Sequence, residues 1–144
     1  MTTPSALERP DGVPFVRKLG ARLVLLPAVA LSFLPPRRVR DVLNLVRRGA
    51  APATAAQARN ARDAMCAVSL CCAGPCGCLP RSLGAALLCR LGGSWLTWCT
   101  GVRVVPPFTA HAWIEADGRP IDEGVPDDYF TRLMAVTPVS RSAR

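Results

Sequence analysis

Apolar positions dominate the chain from Val13 to Leu34, and the run from Leu23 to Leu34 is almost unbroken. A membrane-spanning helix needs about 20 consecutive apolar residues. Here Arg17, Lys18 and Arg22 stand at one end, Pro35-Pro36 at the other, and Pro27 interrupts the run. The pattern predicts a buried or interfacial helix with a kink at Pro27. Pro35-Pro36 breaks the chain. Val39, Val42, Leu43 and Val46 then recur at helical spacing over residues 37–48, with arginines between them and Gly49 as the stop. Thr54 is placed to cap a third helix running to about Leu70. Residues 66–78 hold Cys66, Cys71, Cys72, Cys76 and Cys78 around Gly74, Pro75 and Gly77, which predicts a turn. Leu83, Leu87 and Leu88 share one face of a helix from Leu79 to Leu91, and Gly92-Gly93 ends it.

The period then changes. Trp95 to Val105 is rich in Trp, Thr and Val and predicts a strand. Pro106-Pro107 breaks it, Phe108 to Ala116 predicts a second strand, and Asp117-Gly118 predicts a hairpin turn into a short strand from Arg119 to Asp122. Residues 127–134 read as a last short helix, and both ends of the chain read as loose tails. Helices first and a small antiparallel sheet after them predict an α+β fold. The division this suggests is a helical segment over 1–50 and a domain over 51–144.

Composition narrows the function. The chain has 144 residues, a length suited to one ordinary core. Half of its residues are apolar, which excludes an intrinsically disordered protein. Its net charge is +8, yet the arginines are spread along the chain and cluster only at Arg37, Arg38 and Arg40 and at Arg47 and Arg48. No basic-aromatic platform for single strands is visible, so no nucleic-acid partner is expected. Seven cysteines cannot close a full set of disulfides. No signal peptide is recognisable, and a reduced, cytoplasmic protein with free thiols is expected.

His111 is the one histidine, in Thr-Ala-His-Ala-Trp-Ile-Glu. In a strand, His111, Trp113 and Glu115 point to one face. A lone histidine is more often structural than catalytic. Here, however, the hairpin turn brings Asp122 and Glu123 back beside it, and a carboxylate there is placed to orient the imidazole. Cys78, in Gly-Cys-Leu-Pro-Arg-Ser, sits where the turn gives way to a helix. A helix N-terminus offers partial positive charge to a thiolate, and Pro80 suits the first turn. Cys, His and a carboxylate form the set of nucleophile, base and orienter. Two other uses of the cysteines stand beside this one. Any of them can be a small buried hydrophobe. The run from Cys66 to Cys78 can also hold thiolates for a metal, although its uneven gaps match the usual paired zinc spacing poorly.

The stretch from Cys78 to about Leu133 resembles the lasso-peptide maturation proteases, transglutaminase-like cysteine peptidases that remove the leader from a lasso-peptide precursor. The resemblance is carried by Cys78-Leu79-Pro80-Arg81-Ser82-Leu83, Trp98-Cys99-Thr100-Gly101 and His111-Ala112-Trp113-Ile114-Glu115. It implies a papain-like or transglutaminase-like core with Cys78 as nucleophile and His111 as base. A gapless count places the acidic member on Glu123, with Asp122 as the alternative, and strand alternation lets only one of the two face His111. It further implies that Arg81 and Ser82 are scaffold and that Trp113 packs beneath the site. The implied partners are the precursor, a separate leader-binding recognition protein and an ATP-dependent macrolactam synthetase. No metal or organic cofactor is required. Two alternatives compete: a non-catalytic membrane-associated or assembly adaptor built on the first helix, and a thiol or metal protein using Cys66 to Cys78.

Overall fold

The computed structural model describes residues 10, 12–74, 76–121 and 125–139. Among the described residues the elements follow in the order α1 (Phe15–Ser32), α2 (Pro36–Val46), β1 (Ala51–Pro52), α3 (Ala55–Val68), α4 (Leu70–Ala73), α5 (Cys78–Leu91), β2 (Ser94–Trp95), β3 (Thr97–Arg103), β4 (Ala110–Ala116), β5 (Arg119–Pro120) and β6 (Phe130–Val136). The fold is α+β, helices first and the main sheet last.

α1 starts after Pro14 and continues through Pro27 to Ser32. It is neither fully buried nor a membrane span. Ala21, Val24 and Ala28 are buried, while Val16, Leu19, Leu23, Leu26 and Phe33 are exposed. Small residues let it approach α5 closely: a Cβ on Gly20 would lie 2.9 Å from Leu88 Cδ1. Among the described residues no helix is long and apolar enough to cross a membrane.

α3 begins at a reciprocal cap. The Gln57 N–H donates to Thr54 Oγ1 at 3.1 Å, and the Thr54 N–H donates to Gln57 Oε1 at 3.0 Å. The helix packs its buried face, including Ala58, Ala61 and Met65, against α5. Contact is tightest at Gly84, where a Cβ would come within 2.2 Å of Met65 Cε. The cysteine-rich segment is more helical than its glycines and proline predict. α3 continues past Cys66, and α4 takes up Cys71 and Cys72, capped by Ser69 Oγ accepting from the Cys72 N–H at 3.2 Å. α4 ends at Ala73 and α5 begins at Cys78.

The sheet has the order β5-β4-β3-β6, and β1 and β2 form a separate parallel pair. Trp98 is opposite Ile114 on β4 and Val136 on β6. All three are buried beneath the helices, in one core with Leu83, Ala86, Trp95 and Leu96. Trp98 Nε1 donates to Ser82 Oγ at 3.1 Å and Trp95 Nε1 to the Val136 carbonyl at 3.2 Å, so neither indole N–H is orphaned in the core. The hairpin turn at Asp117-Gly118 has positive φ at both residues, 53° and 76°, as its sequence predicts. The last expected element is corrected. Residues 130–136 are not a helix but β6, the antiparallel partner of β3.

Candidate active site

Cys78 is the first residue of α5 and follows the tight turn at Gly77. Only glycine fits there, because a Cβ would lie 1.9 Å from the Cys71 carbonyl oxygen. The start of the helix is tied down behind the thiol. Arg81, almost fully buried, donates from Nη1 to the Cys72 carbonyl at 2.9 Å, and the Arg81 N–H donates to the Gly77 carbonyl at 2.9 Å. Ser82 Oγ donates to the Leu79 carbonyl at 2.9 Å while accepting from Trp98. The Cys78 box is thus anchored to α4 on one side and to the sheet on the other.

His111 enters from β4, opposite Gly101 of β3. The structure brings it to Cys78. Burial alone pushes the Cys78 thiol up, but three influences outweigh it. They are a hydrogen bond with the His111 side chain, a backbone hydrogen bond from Ala112, and the positive charges of His111 and Arg81; the thiol sits below its ordinary value. The other affected thiols move the opposite way. Burial raises Cys66 and Cys72, in spite of nearby arginines or a serine hydrogen bond. Burial also raises Cys89 to about 11 and, with the Glu115 charge adding to it, Cys99 to about 12. Cys78 is therefore the thiol held ready to ionise, and these four are inert core groups.

The face of β4 that carries His111 also carries Trp113 and Glu115. Trp113 is buried, and its ring lies 6.0 Å from His111 with 14° between the planes. Phe130 of β6 stacks on the imidazole more closely, at 4.4 Å and 17°. Glu115 is committed elsewhere. Its Oε1 accepts from Trp113 Nε1 at 2.9 Å and its Oε2 from Arg132 Nη1 at 3.2 Å. It also stands four positions along the strand from His111, about 13 Å at 3.3 Å per residue. It braces the indole. Asp122 and Glu123, the two expected orienters, lie outside the described residues.

The remaining cysteines are dispersed. Cys71 and Cys76 are exposed, and Cys66, Cys72, Cys89 and Cys99 are buried. Among the described residues no group of three or more His, Cys, Asp or Glu is placed to hold a metal ion. The aromatic residue touching the imidazole, Phe130, is not visible to sequence reasoning, because its segment reads as a helix. The three consecutive β-favouring residues Tyr129-Phe130-Thr131 are the signal that points to a strand.

A thiol at a helix N-terminus, lowered by a histidine from an adjacent strand, is the pairing that cysteine acyl-transfer chemistry requires. No curated protein and no solved structure matches the chain. A family model of the transglutaminase-like superfamily matches residues 21–135, from within α1 almost to the end of β6; the chain belongs to that superfamily, whose domain points to cysteine-peptidase-type activity.

Proposed function

We propose that the protein is the leader peptidase of a lasso-peptide pathway, cutting its precursor between leader and core. The observation that carries the chemical part is the Cys78–His111 pair, with its lowered thiol at the start of α5. The pathway part rests on the Cys-Leu-Pro-Arg-Ser box at Cys78 and the His-Ala-Trp-Ile-Glu box at His111.

In this mechanism the Cys78 thiolate attacks the carbonyl carbon of the scissile peptide bond. The oxyanion that forms is met by first-turn amides of α5. Pro80 has no N–H and that of Arg81 goes to Gly77, so in this reading the Cys78 and Leu79 amides are the donors. Imidazolium His111 gives its proton to the departing amine, the C–N bond breaks, and the leader remains as a thioester on Cys78. His111 then takes a proton from water as the water attacks the thioester. The leader acid leaves, the thiol is restored, and no net oxidation or reduction occurs. Asp122 or Glu123 orients the imidazole in this reading. A separate leader-binding protein presents the precursor, and an ATP-dependent macrolactam synthetase takes the freed core.

The test is mass spectrometry of a cognate precursor incubated with the protein and the leader-binding partner. Wild type is expected to give one new cut at the leader–core junction. Cys78→Ala and His111→Ala, shown to be folded, are expected to give none. Cleavage by either folded variant at the wild-type rate would sink the assignment.

A further inference from the structure

His111 and Phe130 sit two strands apart, with β3 between them. Rings from the outer strands cannot normally meet across a middle strand, because the side chain opposite them stands in the way. Here the residue opposite His111 is Gly101. Gly101 is opposite Arg132 on the other side, and Arg103 is opposite Phe130. Gly101 leaves a gap over which the imidazole and the Phe130 ring lie face to face, 4.4 Å apart. The gap has no spare room: a Cβ at Gly101 would meet Thr131 O at 2.0 Å and Trp113 Cη2 at 2.9 Å. Trp113 lies nearly parallel to Phe130 as well, 5.4 Å away at 25°.

Phe130 is itself held in place. Tyr129 packs edge-on against it at 4.9 Å and 88°, and the Arg103 guanidinium covers the Tyr129 ring at 5.2 Å. From these contacts we propose that Phe130 is a positioning residue for His111, fixing the plane of the imidazole so that it addresses Cys78. The inference rests on the catalytic role given to His111 above and adds what holds that side chain.

Two physical effects follow from the stack. An imidazole turns readily about its Cβ–Cγ bond, and a flat partner against one face removes that freedom. An aromatic face also attracts a cation, so it favours the imidazolium that must stand beside a thiolate and later protonate the leaving amine. Loss of the ring therefore acts on turnover rather than on precursor binding.

The experiment compares wild type, Phe130→Leu and Phe130→Tyr in three readouts. The first is NMR: His111 is the one histidine in the chain, so a histidine-labelled sample gives one set of ring resonances. In wild type these are expected to be displaced by the ring current of the stacked phenyl group. Phe130→Leu should shrink the displacement to the part that the more distant Trp113 supplies, and Phe130→Tyr keep it whole. The second is the pH profile of Cys78 alkylation, located by fragment mass spectrometry. Its midpoint should rise in Phe130→Leu and stay put in Phe130→Tyr. The third is precursor cleavage, where Phe130→Leu should lower kcat about tenfold or more with KM little changed.

Undisplaced His111 resonances in wild type would overturn the proposal without any variant. So would a folded Phe130→Leu protein with the wild-type alkylation profile, or a Phe130→Tyr protein as impaired as Phe130→Leu. The first two readouts need no precursor. Displaced resonances and a shifted alkylation profile with no cleavage by wild type would leave the positioning role standing and remove the peptidase reading.

Discussion

At Cys78 the cost of partial burial is overcome by His111, the Ala112 backbone and Arg81, and the thiol falls below its ordinary value. At Cys99 burial is joined by the Glu115 charge, and the thiol rises to about 12. The two residues are chemically identical, so the partner decides which becomes a nucleophile. Sequence could nominate Cys78 and His111 because both stand in short boxes whose local chemistry is visible. It could not show that Glu115 is already spent on Trp113 and Arg132, which depends on a strand 17 residues further along. The lowered thiol sets a pH dependence. Iodoacetamide reacts with thiolate, so the rate at Cys78 should rise with pH to a midpoint below the ordinary thiol value of 9.0. His111→Ala removes both the hydrogen bond and the charge and should move that midpoint upward. A wild-type midpoint at or above the ordinary value, or one that His111→Ala leaves in place, would contradict the pairing.

Helices were the legible elements. Their apolar spacing is regular and their ends are marked, as at Thr54 before α3 and Gly92 after α5. β6 was not legible, for a physical reason. Thr100 of β3 pairs with Met134, but Gly101 pairs with Arg132, so Leu133 is an extra residue in the ladder. The bulge breaks the alternation that identifies a strand, and Arg132-Leu133-Met134 are good helix formers locally. Pairing with β3 overrides that preference. The reciprocal cap on α3 offers a test at this scale. Thr54→Ala deletes the acceptor for the Gln57 N–H and should cost about 1 kcal/mol of stability in urea unfolding. Thr54 lies at the far end of α3 from the cysteine-rich turn, so Cys78 alkylation should be unchanged. An unaltered urea midpoint would show that the cap contributes nothing to the fold.

The whole molecule closes its core with thiols as well as hydrocarbons, and this fixes how it should fail in alkali. Cys89 is buried, its Sγ donating to the Gln57 carbonyl at 3.8 Å, and Cys99 is fully buried. Burial lifts their folded values from an ordinary 9.0 to about 11 and about 12 respectively. A raised value means that the folded state keeps a proton the unfolded chain gives up. The stabilisation is complete below about pH 9 and drains away as pH climbs through the folded values. Cys78 carries the opposite sign. Its folded value is depressed, so its contribution is present above the unfolded value and lost as pH falls through the folded one. The melting temperature should therefore fall steadily from pH 9 to pH 11, a range in which the raised thiols cost stability while the Cys78 contribution is already complete and constant. Cys99→Ala removes one of them and should flatten that fall, although the smaller side chain lowers the melting temperature at neutral pH. Thermal melts of wild type and Cys99→Ala at half-unit pH steps decide the matter. Parallel curves would mean that ionisation of Cys99 plays no part, and that the alkaline limit of this fold lies in some other group.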